Sequence, residues 1–321
     1  MDNISSAQLH VVVGAGAVGS AVVAELVRAG HRVRVVTRSG SGPELAGVER
    51  VAADAGDAAR LTQLSTGAAA LYNCANPRYH RWELDWPPIA NALLSAAERT
   101  GAVLATVANL YPYGLVDAPM TEQTPFTATF TNGRVRAQMW RDALEAHIAG
   151  RVRVTEVRAS DYVGPHSQGQ FAERAVPKLV RGKAVGVLGR PDVAHTYSYP
   201  GDVARLLTVA ASDPRAWGQA WHVPSNPPTT ARAVVDGLCD AAGVAHVPVR
   251  RIPTAALALA GLFAPELRPL ADTRYQHDHP FVMDSSAAQT TFGLTPTPWH
   301  EVFSLTVAAH DPRRLSTAAA A

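Results

Sequence analysis

His10-Val11-Val12-Val13-Gly14-Ala15-Gly16-Ala17-Val18-Gly19-Ser20 is the stretch that decides the fold. An apolar run ends in G-x-G-x-x-G and passes directly into a helical pattern that reaches Ala29-Gly30. A turn of this kind brings bare backbone N–H groups and the positive end of a helix to a pyrophosphate. Glycine-rich turns between strand and helix also serve packing alone, so the flanking residues carry the weight. Val11 to Val13 read as a buried parallel strand, Ala21 to Arg28 as a helix and His31 to Thr37 as a second strand, which completes one βαβ unit. A dinucleotide is the expected ligand, held at Gly14, Gly16, Ala17, Val18 and Gly19.

The end of the second strand selects between the two nicotinamide dinucleotides. An acidic residue there accepts from a ribose 2′-hydroxyl, whereas an arginine accommodates a 2′-phosphate. The chain has Thr37-Arg38-Ser39-Gly40 and no acid, which favours NADP(H) over NAD(H). A plain solvated arginine is the competing reading of Arg38. Val48 to Ala53 read as a third strand, followed by Asp54-Ala55-Gly56-Asp57, where Asp57 is placed to cap a helix and Asp54 to meet an adenine amino group. A fourth apolar strand, Ala68 to Cys74, ends in Cys74-Ala75-Asn76, small residues that let a cofactor approach.

Further along, the alternation continues. A tryptophan-rich loop, Tyr79 to Pro88, precedes a helix over Ile89 to Thr100. Val103 to Val107 form a fifth strand, Arg134 to Ile148 a long helix and Val152 to Arg158 a sixth strand. Six strands alternating with helices specify an α/β fold with a doubly wound parallel sheet, a Rossmann domain over residues 1–165. Beyond Gly164-Pro165 the elements become shorter and Pro- and Gly-punctuated, as expected of a smaller mixed lobe for substrate over residues 166–321. Helices are expected there over Glu173–Arg181, Pro200–Ala211, Thr230–Ala242 and Thr254–Phe263, with strands at Val185–Leu188, His195–Tyr199 and Trp221–Pro224 and a frayed tail after Pro312.

Bulk properties exclude several roles. With 29 basic and 27 acidic residues the net charge is +2, and no Lys/Arg block stands out, so neither nucleic acid nor a membrane surface is an expected partner. The two cysteines, Cys74 and Cys239, have no metal-ligand spacing, and no metal site is expected. They suit free thiols in a reducing, cytoplasmic compartment. No apolar run is long enough to span a bilayer.

Several ordered stretches resemble the extended short-chain dehydrogenase/reductases, the NAD-dependent epimerase/dehydratase family. They are Ala53-Asp54-Ala55-Gly56-Asp57, Asn109 to Gly114, Arg158 to Pro165, His195 to Ala204 and Phe292 to Pro296. The likeness covers nearly the whole chain. It implies a Rossmann domain, an oxidoreductase or epimerase-like activity, a small-molecule substrate and a possible homodimer paired through long helices. It also implies nicotinamide and substrate contacts at the turn after the sixth strand, Ala159-Ser160-Asp161-Tyr162.

The departures bear on chemistry. The glycine spacing is that of atypical family members. At the family's catalytic Ser or Thr stands Asn109, and its Y-x-x-x-K reads Asn132-Gly133-Arg134-Val135-Arg136. Lys178 and Lys183 are the only lysines, and the residues four positions before them are Arg174 and Leu179, so the chain contains no Y-x-x-x-K. Arg136 supplies a fixed charge but no proton at ordinary pH, and Asn132 does not ionise. Tyr111 is the first candidate for the proton donor, two residues beyond Asn109 and on the same side of the chain if strand geometry persists. An apolar wall is the alternative role for it. Asn109 is placed to orient a carbonyl, and Asp161 to act in catalysis or cap a turn. The family's arginine that grips a nucleotide diphosphate is replaced by His195, which argues against a sugar nucleotide. Two functions remain open: an NADP-dependent reductase or epimerase-like enzyme for a fairly apolar metabolite, and a non-catalytic NADP-binding regulator or scaffold.

Overall fold

The computed structural model describes residues 7–253 and 269–311; the helix expected over 254–263 and the tail after Pro312 lie outside the described residues. The chain forms two compact units. The first comprises residues 1–109, 131–158 and 203–221, and the second 110–130, 159–202 and 222–321.

In chain order the elements begin β1 (Leu9–Val13), α1 (Ala17–Arg28), β2 (Arg32–Thr37), β3 (Val48–Ala52), α2 (Ala58–Ser65) and β4 (Ala68–Asn73). They continue α3 (Trp82–Thr100), β5 (Val103–Asn109), α4 (Thr131–Ile148), β6 (Val154–Ala159), β7 (Asp161–Tyr162), α5 (Val176–Leu179) and β8 (Val185–Val187). The last are β9 (Tyr197–Ser198), α6 (Pro200–Ser212), β10 (Gln219–His222), α7 (Ala231–Ala242), β11 (Val249–Arg251), α8 (Pro269–Asp272), α9 (Tyr275–Asp278), α10 (Ser286–Phe292) and α11 (Trp299–His310).

The first unit carries the expected doubly wound sheet, in the order β10-β6-β5-β4-β1-β2-β3. From β3 across to β5 every pair is parallel, and Val12 is registered with Val35 on one side and Tyr72 on the other. Reversal of strand order between β1 and β4 puts the carboxyl end of β1 at a topological switch point, where such sheets bind ligands. Val11, Val13, Val36, Leu71 and Leu104 form part of one core with Leu93 and Ala96 of α3. Continuous apolar runs are what a strand covered on both faces requires.

Three helices begin earlier than the sequence pattern indicates, α1 among them at Ala17 rather than Ala21. Helix α3 starts at Trp82, not Ile89, so most of the tryptophan-rich loop is helical and Pro87 and Pro88 lie inside it. Both prolines are exposed, and the carbonyls they leave without a helical partner, those of Glu83 and Leu84, belong to exposed residues. Burial of Trp82 and Trp86, one helical turn apart, outweighs the break. Helix α4 begins at Thr131, which moves Asn132 from the approach to the helix into its first turn.

In the second unit β7 pairs with β9 and β8 with β11, both parallel. Its core packs Val234, Val235 and Leu238 of α7 with Val302 and Val307 of α11 and with Phe171, Val176 and Leu179. Gly237 lets α7 and Phe303 approach within a distance that no Cβ would permit. The carboxylate of Asp202 accepts from Thr297 N at 2.8 Å and from Thr297 Oγ1 at 2.6 Å, tying together the stretches around 195–204 and 292–296. The helix expected over 173–181 is confined to Val176–Leu179, and β9 to Tyr197–Ser198.

Candidate functional site

The glycine turn has a separate physical reason for each glycine. Gly14 lies at φ +97°, and a Cβ on it would stand 2.5 Å from the Cys74 carbonyl oxygen. A Cβ on Gly19 would run into the Gly14 carbonyl and sit 3.2 Å from the Cys74 Cβ. Gly16, the N-cap of α1, differs: its backbone is ordinary (φ −72°, ψ −167°), and nothing lies within 4 Å of a Cβ placed there. Two glycines thus close the strand–helix turn, while the third leaves open space at a helix N-terminus whose first turn carries no acid. That is the cradle a pyrophosphate needs.

The structure brings most of the expected cofactor residues of the first unit to this turn. Ala17 and Val18 open α1. Cys74 N donates to Val13 O at 2.9 Å, and Ala75 N to the Asn73 carboxamide at 3.3 Å, so Cys74-Ala75-Asn76 leaves β4 beside the glycines. Burial holds the Cys74 thiol protonated, its pKa raised to about 12. Thr37 ends β2, and its hydroxyl donates to Ser41 O at 2.8 Å. Arg38 is exposed and, among the described residues, makes no hydrogen bond or ion pair; its charge is nonetheless felt at Asp85, whose pKa is lowered chiefly by Arg81. Asp54 accepts from Gly56 N at 2.8 Å, closing its own turn beside Ala55. Asp57 caps α2 as expected, accepting from Arg60 N at 2.9 Å.

The residues expected at the Y-x-x-x-K position are engaged in the same unit. Asn132 is buried, and its side-chain amide donates to Tyr79 O at 3.3 Å. Arg136 donates to Val107 O at 3.2 Å, and its guanidinium carbon stands 4.3 Å from the Trp86 ring centroid and 4.8 Å from that of Trp82. A cation held between two indoles and a carbonyl is a fixed charge rather than a titrating group.

In the second unit, Tyr111 opens a 3₁₀ turn, Tyr111–Tyr113. Strand geometry stops at Asn109, since Leu110 lies at φ −92°, ψ 3°, so the period-two argument that would align Asn109 with Tyr111 does not extend to Tyr111. Tyr111 meets Phe130 edge-on at 6.1 Å, Phe130 meets Tyr275 at 5.9 Å, and Tyr275 meets Phe281 at 6.0 Å. The Tyr275 hydroxyl is buried with no hydrogen-bond partner among the described residues. Burial first, then the proximity of Tyr111 and Asp161, raises its pKa.

Beside this aromatic row, Ala159-Ser160-Asp161 leads into β7. Ser160 Oγ lies 3.2 Å from His195 Nε2, and Nδ1 of His195 lies 3.0 Å from Gln276 O. A carbonyl can only accept, so Nδ1 carries the proton and Nε2 presents a lone pair. Asp161 Oδ2 is 3.6 Å from His195 Nε2 and 3.6 Å from His277 Nε2. Desolvation dominates at His195 and lowers its pKa to about 4, against the opposing pull of Asp161. Neither Tyr275 nor His277 is singled out by the sequence: Tyr275-Gln276-His277-Asp278-His279 carries no recognisable spacing, and only the fold places it near Asp161.

The model of the NAD dependent epimerase/dehydratase family matches residues 10–223. The chain belongs to that family. Its fold is similar to that of dTDP-glucose 4,6-dehydratase from Bacillus anthracis in complex with NAD, at 16% identity and TM-score 0.78, covering 95% of this chain and 97% of that one. It is also similar to an epimerase from Methanothermobacter thermautotrophicus (15% identity, TM-score 0.79, 94% and 92% covered). UDP-glucose 4-epimerase from Thermotoga maritima with UDP-glucose is a further likeness (18% identity, TM-score 0.76, 94% and 98% covered). No curated protein matches the chain. Among the described residues no helix is long and apolar enough to cross a membrane.

Proposed function

We propose that the chain is an NADP(H)-dependent oxidoreductase, a reductase or an epimerase-like enzyme, acting on a small to medium-sized, fairly apolar metabolite. In this reading the first unit holds the nucleotide and the second recognises the substrate. When bound, the dinucleotide supplies or accepts the hydride. The chain's own part is to fix the pyrophosphate at Gly16 and the start of α1, receive a 2′-phosphate at Arg38, and move a proton.

The observation that carries the NADP(H) reading is Arg38, uncommitted among the described residues at the end of β2 and followed in sequence by the hydroxyls of Ser39 and Ser41, which bond to each other at 2.9 Å. Tyr111 is our proton donor, supported by its place in a row of aromatic rings with the buried Tyr275 hydroxyl at hand. The same row, Tyr111, Phe130, Tyr275 and Phe281, supports an apolar substrate. A neutral His195 offers no fixed charge to a nucleotide diphosphate.

A second reading, a non-catalytic NADP(H)-binding regulator, is favoured by the engagement of Asn132 and Arg136 with Tyr79 O, Val107 O and the two indoles. The deciding experiment is a fluorescence titration of the purified protein and its Arg38→Ala variant with NADPH and NADH, followed by a search for NADPH oxidation with carbonyl, enone and imine substrates. The expected result is NADPH affinity falling roughly 10- to 100-fold in the variant, as for loss of charge-assisted hydrogen bonds, with NADH affinity unchanged. Binding of neither nucleotide to the wild type overturns both readings, and tight NADPH binding without turnover leaves the regulator.

A further inference from the structure

Asp161, His195 and His277 stand at separations that hydrogen bonding does not explain. The carboxylate oxygen lies 3.6 Å from each Nε2, and the three ligand atoms all fall within 4.8 Å of one another. A hydrogen bond to nitrogen wants at most about 3.2 Å. A bridging water, bonded to each partner at about 2.8 Å with a near-tetrahedral angle between them, would hold the partners roughly 4.6 Å apart. Two ligand atoms on one tetrahedral ion, at bond lengths of about 2.0–2.2 Å, lie about 3.3–3.5 Å from each other.

The surroundings are those of a held ligand set. His195 is fixed through its backbone, N to Thr229 O at 2.7 Å and Thr229 N back to its carbonyl at 2.9 Å, and its ring lies against Tyr197 at 4.5 Å and Phe281 at 5.2 Å. The Nδ1 proton is engaged by Gln276 O, the outer-shell contact that fixes the tautomer, and the Nε2 lone pair faces Ser160 Oγ at 3.2 Å, a hydroxyl that an ion would displace. Gly189, at φ +63°, makes room for His277, into which any Cβ there would run. The His195 and His277 rings are within 8° of parallel, so both lone pairs meet at one ion only after a turn of one ring about χ2. Both rings line a small cavity of about 10 Å³.

We infer that Asp161, His195 and His277 form a binding site for a divalent transition-metal ion of the zinc type. Two imidazoles and a carboxylate suit zinc and its neighbours, and three protein ligands leave a further position for water or a substrate oxygen. All three ligands belong to the second unit, and metal stoichiometry is read without nucleotide, so the outcome is separable from that of the cofactor reading.

The test is equilibrium dialysis of the chelator-stripped full chain against Zn²⁺ with elemental analysis, repeated with Co²⁺ to read visible d–d absorption. The expected result is about one ion per chain and a Co²⁺ spectrum of low-symmetry coordination, both lost in His277→Ala and Asp161→Asn. If a variant fails to fold by circular dichroism, the other decides, since Asp161 is half-exposed and its amide is isosteric. His246 on the surface, 2.9 Å from Asp240 and 3.7 Å from Asp236, is the competing locus, and His246→Ala is expected to leave the stoichiometry unchanged. Absence of stoichiometric metal in the wild type, or its retention in both ligand variants, overturns the assignment.

Discussion

The glycine turn of the first unit and the Tyr111–Asp161–His195–Tyr275–His277 cluster of the second are built on opposite plans. The turn is made by residues 14–19 with Cys74, and each glycine has a backbone reason: a positive φ at Gly14, a neighbouring carbonyl at Gly19, open space at Gly16. The cluster is assembled by side chains from residues 111 to 277, none of which needs its neighbours in sequence to be where it is. Backbone geometry leaves a fixed spacing in the chain, because only certain residues tolerate it. A side-chain cluster leaves no spacing, because the fold supplies the proximity.

The largest effect that would test this contrast is catalytic. If Tyr111 moves the proton, Tyr111→Phe lowers kcat of whatever reduction the protein performs by roughly 10²–10⁴-fold, with NADPH affinity preserved. A change of less than threefold would assign Tyr111 to the wall of the site and move the donor elsewhere in the cluster. The next is a paired substitution within the turn. Gly14→Ala is expected to destabilise the chain by about 3 kcal/mol, combining a left-handed backbone with a clash against Cys74. Gly16→Ala should change stability by less than about 1 kcal/mol and weaken NADPH binding at least tenfold, because its space is empty until a phosphate fills it. Equal loss of stability in both variants, read from urea midpoints, would remove the distinction between closing and cradling glycines.

What was legible in the sequence follows the same division. The order of strands and helices, the glycine turn and the Asp57 cap are readable because periodicity, glycine spacing and capping act over a few residues. Helix α3 starts earlier than its sequence indicates because Pro87-Pro88 is a local stop signal and the burial of Trp82 and Trp86 is not local. Asn132 and Arg136, expected at the family's Y-x-x-x-K position, are legible in the sequence, whereas the indole cage that receives Arg136 requires the fold. Tyr275 and His277 were missed for the same reason, and Asp161 and His195, weighed on sequence, gained their significance from each other.

A smaller effect distinguishes the units through pH. His10 on β1 is buried against Tyr72, with its Nε2 lacking a hydrogen-bond partner among the described residues, and burial, aided by His31, lowers its pKa to about 4. The unfolded chain takes up this proton near pH 6.5, the folded chain only near pH 4. Stability is therefore full above pH 6.5 and declines as the pH falls towards 4, by up to about 3 kcal/mol. Urea midpoints at a series of pH values should show a shallower acid limb for His10→Gln than for the wild type. An identical limb would remove His10 as the source of the acid sensitivity.

The smallest effect asks whether the contrast is between units or between local and assembled features. Asp57 caps α2 in the first unit through Arg60 N at 2.9 Å, and Thr230 caps α7 in the second through Ala233 N at 3.1 Å. Both are side chains on the extended residue before a helix, and both answer the same orphaned donors. If legibility follows locality, Asp57→Ala and Thr230→Ala each cost about 1 kcal/mol, although they lie in different units. A cost at Asp57 with none at Thr230 would mean that packing in the second unit holds α7 without its cap, so that even its local signals are subordinate to assembly.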